Sequence, residues 1–118
     1  MADAGIFVGW SQAARGRERQ ALQVFNEAVE YYSELARSGE IEGFEPVVLE
    51  AHGGDLGGFF LLRDEAERLA RVRASEEFQR LVQRAGLVVD HFGVVNALLG
   101  ERVRSGMNDF AQNIEDLT

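Results

Sequence analysis

The chain has 118 residues and a mass of 13.1 kDa, enough for one domain with one core and too little for two. Hydrophobic residues make up 46% and charged residues 27%, which excludes a disordered or membrane-embedded composition. The formal charge of −8, from 12 basic and 20 acidic residues, opposes nucleic acid and anionic lipid surfaces as partners.

Zero cysteines exclude disulfides, thiolate nucleophiles and thiolate metal sites. Every basic side chain other than the two histidines is an arginine, so Schiff-base chemistry and the phosphate-binding lysine are excluded as well. No apolar run approaches the ~18 residues of a spanning helix. Met1-Ala2-Asp3-Ala4 lacks the basic-then-apolar order of a signal segment. The expected compartment is the cytoplasm, with no membrane partner.

The first strand is Gly5-Ile6-Phe7-Val8-Gly9-Trp10, followed by a polar connector, Ser11 to Gly16. A helix starts at Arg17. Leu22, Phe25, Val29, Tyr32 and Ala36 recur at steps of three and four, with Ala21, Ala28 and Leu35 widening the stripe. Ser38-Gly39 closes it. Ile41 to Ala51 is the second strand, and Pro46, lacking an N–H donor, predicts an edge or a bulge. His52 to Gly57 is the hairpin turn and Gly58 to Arg63 the third strand.

From Asp64 the pattern is helical, with acid-to-base pairs Asp64–Arg68, Glu67–Arg71 and Glu76–Arg80 four apart, each worth about 0.3–0.5 kcal/mol on a solvated face. Ser75 is placed to cap a fresh turn, with Phe78, Leu81, Val82 and Ala85 behind it and Gly86 as its end. Leu87 to Leu99 is the fourth strand, bent at Gly93. After Gly100, Val103, Met107, Phe110, Ile114 and Leu117 repeat at four, three, four and three, an amphipathic helix starting at Ser105 or later. The domain is expected over residues 1–100 and the helical tail over 101–118, packing on its own or on the partner subunit.

The order β-α-β-β-α-β, under the right-handed crossover rule, builds a ferredoxin-like α+β fold: a four-stranded antiparallel sheet with its helices on one side. The other face is also greasy. Phe59 and Leu61 point one way from the third strand and Phe60 and Leu62 the other; Phe7 opposes Ile6, Val8 and Trp10. Each such side chain left in water forgoes about 1.5–3 kcal/mol. A second copy of the sheet, associating face to face about a twofold axis, is the expected cover, so a homodimer is expected.

That element order, the hairpin at residues 52–57 and the segment Ser75-Glu76-Glu77-Phe78-Gln79-Arg80-Leu81 resemble the dimeric α+β barrel superfamily, with its antibiotic-biosynthesis-type monooxygenases and its YCII-like, EthD and NIPSNAP proteins. The resemblance covers roughly residues 5–100 and implies a dimeric barrel. It implies no single activity, because the superfamily includes enzymes, haem binders and proteins of no known activity.

Few residues carry chemistry. His52, in His52-Gly53-Gly54-Asp55 with Glu50 nearby, is either a mobile imidazole beside carboxylates, a candidate ligand contact, or a turn residue among glycines. Neither histidine has a partner at metal-ligand spacing, so no metal is expected. Asp90 and His91 are the polar pair in an apolar stretch and the candidate catalytic residues; as strand neighbours they would face opposite sides of the sheet. Trp10 and Asn96, on strands expected to be adjacent, both reach toward a cleft between sheet and helices and match by residue type the contacts of some monooxygenases in the superfamily. Tyr32 falls on the apolar stripe as core. Arg15, Arg17 and Arg19 cluster ahead of the first helix, where a carboxylated ligand would fit.

Three functions are compatible with these residues. One is a dimer with a pocket for a small apolar or aromatic molecule, extending to cofactor-independent oxygenation at Trp10, His91 and Asn96. A second is a structural or ligand-sensing dimer without catalysis. The third, haem handling, needs His91 turned into the cleft. No cofactor is expected.

Overall fold

The computed structural model describes residues 2–118; Met1, part of the N-terminal stretch considered above, lies outside the described residues. The first apolar stretch forms β1 (Ala4–Trp10), and the three-and-four stripe forms α1 (Glu18–Arg37). The hairpin strands are β2 (Gly43–Val48) and β3 (Gly58–Asp64). Two short helices follow, α2 (Ala66–Ala74) and α3 (Glu76–Val88), then β4 (Gly93–Leu98) and α4 (Glu101–Leu117).

The strands form one antiparallel sheet in the order β2-β3-β1-β4. Pro46 sits in β2, at an edge, where its missing donor costs no interior ladder bond. Cα partners share a face in an antiparallel pair, so the register sorts the side chains. Ile6, Val8, Phe60 and Leu62 point to the helices and are at most 4% exposed. They pack against Ala28, Tyr32 and Leu35 of α1, Leu69 and Val72 of α2, and Phe78 of α3. Phe7, Phe59, Leu61, Val47 and Val95 share the opposite face, with Phe7 and Phe59 ring centroids 5.0 Å apart. In one protomer no helix covers that face.

Several helix boundaries differ from the sequence expectation. Gly86 does not end α3, which continues to Val88. Its apolar stripe runs on from Phe78 through Leu81, Val82 and Ala85 to the buried Val88, and that packing outweighs the ~1 kcal/mol that glycine costs mid-helix. Of the apolar run at 87–89, Leu87 and Val88 therefore end α3, with only Val88 buried, and Val89 bridges to Ala13; β4 begins only at Gly93, and Asp90 and His91 lie in the turn between them. The tail helix likewise starts at Glu101, four residues earlier than expected, with Gly106 inside it.

Ser75 does cap α3: its Oγ accepts the Phe78 N–H at 3.3 Å. Asp64 ends β3 rather than starting a helix, and it is the one buried charged residue among those described, 6% exposed. Its carboxylate accepts the Glu65 N–H at 2.6 Å and the Arg68 Nε–H at 3.0 Å, while Arg68 also donates to the Gly39 carbonyl. This pair ties α2 to the end of α1. The pairs Glu67–Arg71 and Glu76–Arg80 do not form among the described residues.

Replacing Asp64 with alanine removes a charged acceptor from two donors, and such bonds carry about 1.5–3 kcal/mol. Asp64→Ala is expected to lower the urea unfolding free energy by about 2 kcal/mol at an unchanged m-value. Glu67→Ala, on the solvated side of α2, is expected to stay within ~0.5 kcal/mol of the parent. Equal losses in the two variants would contradict the role given to the buried pair.

Candidate functional site

The helix-facing side of the sheet is fully packed at the Ala4 end and hollow at the Trp10 end. There α1 and α3 present small side chains, Ala21, Ala28 and Ala85, opposite Trp10 and Phe60, and the space left between them is a cavity of about 240 Å³. Sites for drug-sized molecules span about 300–1,000 Å³, so this one suits a molecule of one or two rings.

Its wall is aromatic. Trp10 lies 5.4 Å from Phe60 and 5.9 Å from Phe25 between ring centroids, and Tyr32 closes the group at 5.2 Å from Phe60. Tilted and edge-on contacts of this kind are worth about 0.5–1.5 kcal/mol each beyond area burial and hold the wall rigid.

The polar groups on this wall are few. Glu18 stands in solvent at the rim, where its carboxylate accepts the Gly16 N–H at 3.2 Å. The Tyr32 hydroxyl and the Trp10 indole N–H have no hydrogen-bond partner among the described residues, whereas the neighbouring Tyr31 hydroxyl is 3.2 Å from Ser75 Oγ. Burial, followed by the proximity of Tyr31, pushes the Tyr32 phenol well above its ordinary value of 10.0. Tyr31 is also raised, by burial first, against the lowering effect of its bond to Ser75. The cavity thus offers an apolar slot with no group poised to accept a proton deep inside it.

The residues singled out from sequence do not come together in one place. Trp10 lines the cavity. Asn96 shares the helix-facing side of β4, in register with Ile6, but its Oδ1 accepts the Arg73 Nη1–H at 2.7 Å, which clamps α2 to the sheet and keeps it off the cavity wall. Asp90 bonds to the connector after β1: its N–H donates to the Gln12 carbonyl, its own carbonyl accepts the Ser11 N–H at 2.9 Å, and Gln12 Nε2 reaches its carboxylate at 3.3 Å.

His91 takes a left-handed backbone conformation with φ of 53° and is exposed. It lines a second, shallow hollow beside Asp55 and Phe7, on the uncovered side of the sheet. The expectation that Asp90 and His91 alternate along a strand is corrected by this turn. His52 organises the hairpin: its Nδ1 accepts the Gly54 N–H at 3.2 Å while Nε2–H donates to the Leu56 carbonyl at 2.7 Å. Both ring nitrogens are thereby used within the loop. Arg15, Arg17 and Arg19 remain in solvent.

Sequence reasoning missed Phe25, Phe60 and Phe92 as cavity wall. The available signal was the alanine pair 21 and 28, seven apart on the inner stripe of α1, which leaves room where the strands place aromatics.

No protein-family model matches the chain, and no curated protein matches it. Solved structures do. A DABB family protein with a ferredoxin-like fold from Mesorhizobium loti is 14% identical over 85% of this chain and 100% of its own, with a TM-score of 0.65. A dimeric ferredoxin-like protein of unknown function from Jannaschia sp. is 12% identical over 81% of this chain and 98% of its own, at 0.62. SnoaB, a cofactor-independent oxygenase from Streptomyces nogalater, is 15% identical over 84% and 93%, at 0.51. The chain has the ferredoxin-like fold described for the first two of these structures, the fold expected from the sequence.

A raised tyrosine pKa has a defined sign. The folded state holds its proton above pH 10 while the unfolded chain loses it, so the contribution to stability is intact below pH 10 and declines as pH rises further. Phenolate absorbance is expected to appear for Tyr32 only with unfolding. Tyr32→Phe is expected to unfold within ~0.5 kcal/mol of the parent at pH 7, since the hydroxyl has no partner to lose, and to flatten the alkaline decline. A Tyr32 that ionises near pH 10 in folded protein would contradict its burial.

Proposed function

We propose that this protein is a homodimeric binding protein for a flat, mostly apolar or aromatic molecule of one or two rings, taken up in the cavity between sheet and helices of each protomer. The observation that carries this reading is the hollow itself: an aromatic-walled space at the end of β1. Ring stacking on Trp10 and Phe60 supplies the affinity.

Binding is favoured over catalysis by the position of the titratable groups. Proton transfer needs a base within hydrogen-bond reach of the ligand. Tyr32 is held protonated, Glu18 sits at the rim, and Asp90 is bonded to the connector. His91, on the far side of the sheet, has no route into this cavity for acid–base work or haem ligation. Asn96 and His52 are engaged by Arg73 and by the hairpin and take no part in the binding proposed here.

The second half of the proposal, dimerisation through the open sheet face, is supported by area. A folded chain of 13.1 kDa exposes about 6,400 Å², whereas this protomer exposes 8075 Å². The excess of roughly 1,700 Å² includes the exposed α4 and still leaves room for the ~800 Å² that each partner buries in a standard interface.

Trp10 is the chain's one tryptophan, so its indole resonance in a ¹⁵N–¹H spectrum reports cavity occupancy directly. Titration with 1-naphthol is expected to shift that resonance saturably, and Ala28→Phe or Ala85→Leu, which fill the space, are expected to abolish the shift while retaining the parent far-ultraviolet spectrum. An indole signal unmoved at millimolar 1-naphthol, or moved equally in the filled variants, would overturn the binding site.

A further inference from the structure

Glu18, Leu22, Phe25, Ala28 and Tyr32 follow one another at four, three, three and four along α1, and together they line one wall of the cavity. The stripe therefore begins with a carboxylate. Side chains of a helix lean toward its N-terminus, which sets Glu18 at the mouth. Phe25 lies about 10 Å further along the axis, at 1.5 Å per residue. A two-ring body carrying a short arm covers that distance.

Among the described residues that line the cavity, Glu18 alone carries a charge. Its Oε2 accepts the Gly16 N–H at 3.2 Å, and it forms no ion pair among the described residues. The nearby arginines stand elsewhere. Arg15, Arg17 and Arg19 are exposed and off the cavity wall, and Arg17 lines an adjoining hollow with Arg84.

These placements fix where a charged ligand group can sit, and of which sign. Deep in the slot the wall is apolar and aromatic, and Tyr32 keeps its proton. A charge there would lose its hydration without a partner, so it belongs at the mouth. At the mouth an anion meets Glu18 as a like charge, whereas a cation pairs with it. The wall favours the same sign, because aromatic ring faces are the negative side of their quadrupole. So does the whole molecule, whose net charge of −8 raises the local concentration of cations.

We propose that the cavity selects a protonated aromatic amine, with an apolar body of one or two rings in the slot and its ammonium, on a short arm, paired with Glu18 at the mouth. This rests on the binding reading given above and adds the sign of the ligand's charge.

The Trp10 indole resonance reads affinity for a series that shares one ring system: 1-naphthylmethylamine, 1-naphthylmethanol and 1-naphthylacetate. At low salt the amine is expected to bind about threefold to fivefold more tightly than the alcohol, the upper range of an exposed ion pair, with the acid weakest. Salt at about 0.5 M is expected to compress that ratio. Glu18→Gln keeps an oxygen for the Gly16 N–H and loses the charge. In it the amine-to-alcohol ratio is expected to fall close to one, while Arg17→Gln is expected to leave the amine favoured.

An amine no tighter than the alcohol in the parent, or an amine advantage that survives Glu18→Gln, overturns the proposal while alcohol binding leaves the slot standing. An acid tighter than the amine overturns it in favour of the arginines ahead of α1. An indole resonance unmoved by the whole series removes the slot itself, and this proposal with it.

Discussion

The structure depends on a sheet that is apolar on both sides. One side is solved within the protomer: Ile6, Val8, Phe60 and Leu62 are covered by three helices, and that layer is the core. The other side, with Phe7, Phe59, Leu61 and Val95, has no internal cover. An antiparallel sheet ordinarily turns one polar face to water; where it does not, the surplus apolar area is a demand for a partner. Assembly in this account is therefore a consequence of side-chain alternation along four strands.

The cavity follows from the same layering. Helices that cover a sheet at uniform spacing fill the gap only if side-chain sizes are complementary. At the Ala4 end they are. At the Trp10 end α1 and α3 place alanines opposite an aromatic group too rigid to collapse into the gap. Aromatic rings around small neighbours leave the space open.

Much of the architecture was legible in the sequence, because period-two and period-three-to-four patterns report directly which side chains meet the core. Pro46 marked an edge, Ser75 marked a helix start, and strands one and four were expected to pair. The region from Gly86 to Phe92 was misread for a specific reason. The buried tail of a helix stripe and a strand greasy on both sides look alike over three residues, and an exposed glycine that punctuates other helices sits harmlessly inside α3. That error carried Asp90 and His91 into a strand, whereas they form a turn with a left-handed residue.

The site was less legible than the fold, since a cavity is made by what is missing. Trp10 stands out by type, but the alanines that leave the hollow are unremarkable in a helix, and Asn96 is claimed by an arginine 23 residues away in sequence. The central claim remains that one protomer cannot keep the sheet's second face in water. Sedimentation velocity of the parent chain across a dilution series through low micromolar concentration tests it most directly. The account predicts a species of twice 13.1 kDa, or a multiple of it, persisting on dilution; a stable species of 13.1 kDa throughout would contradict it.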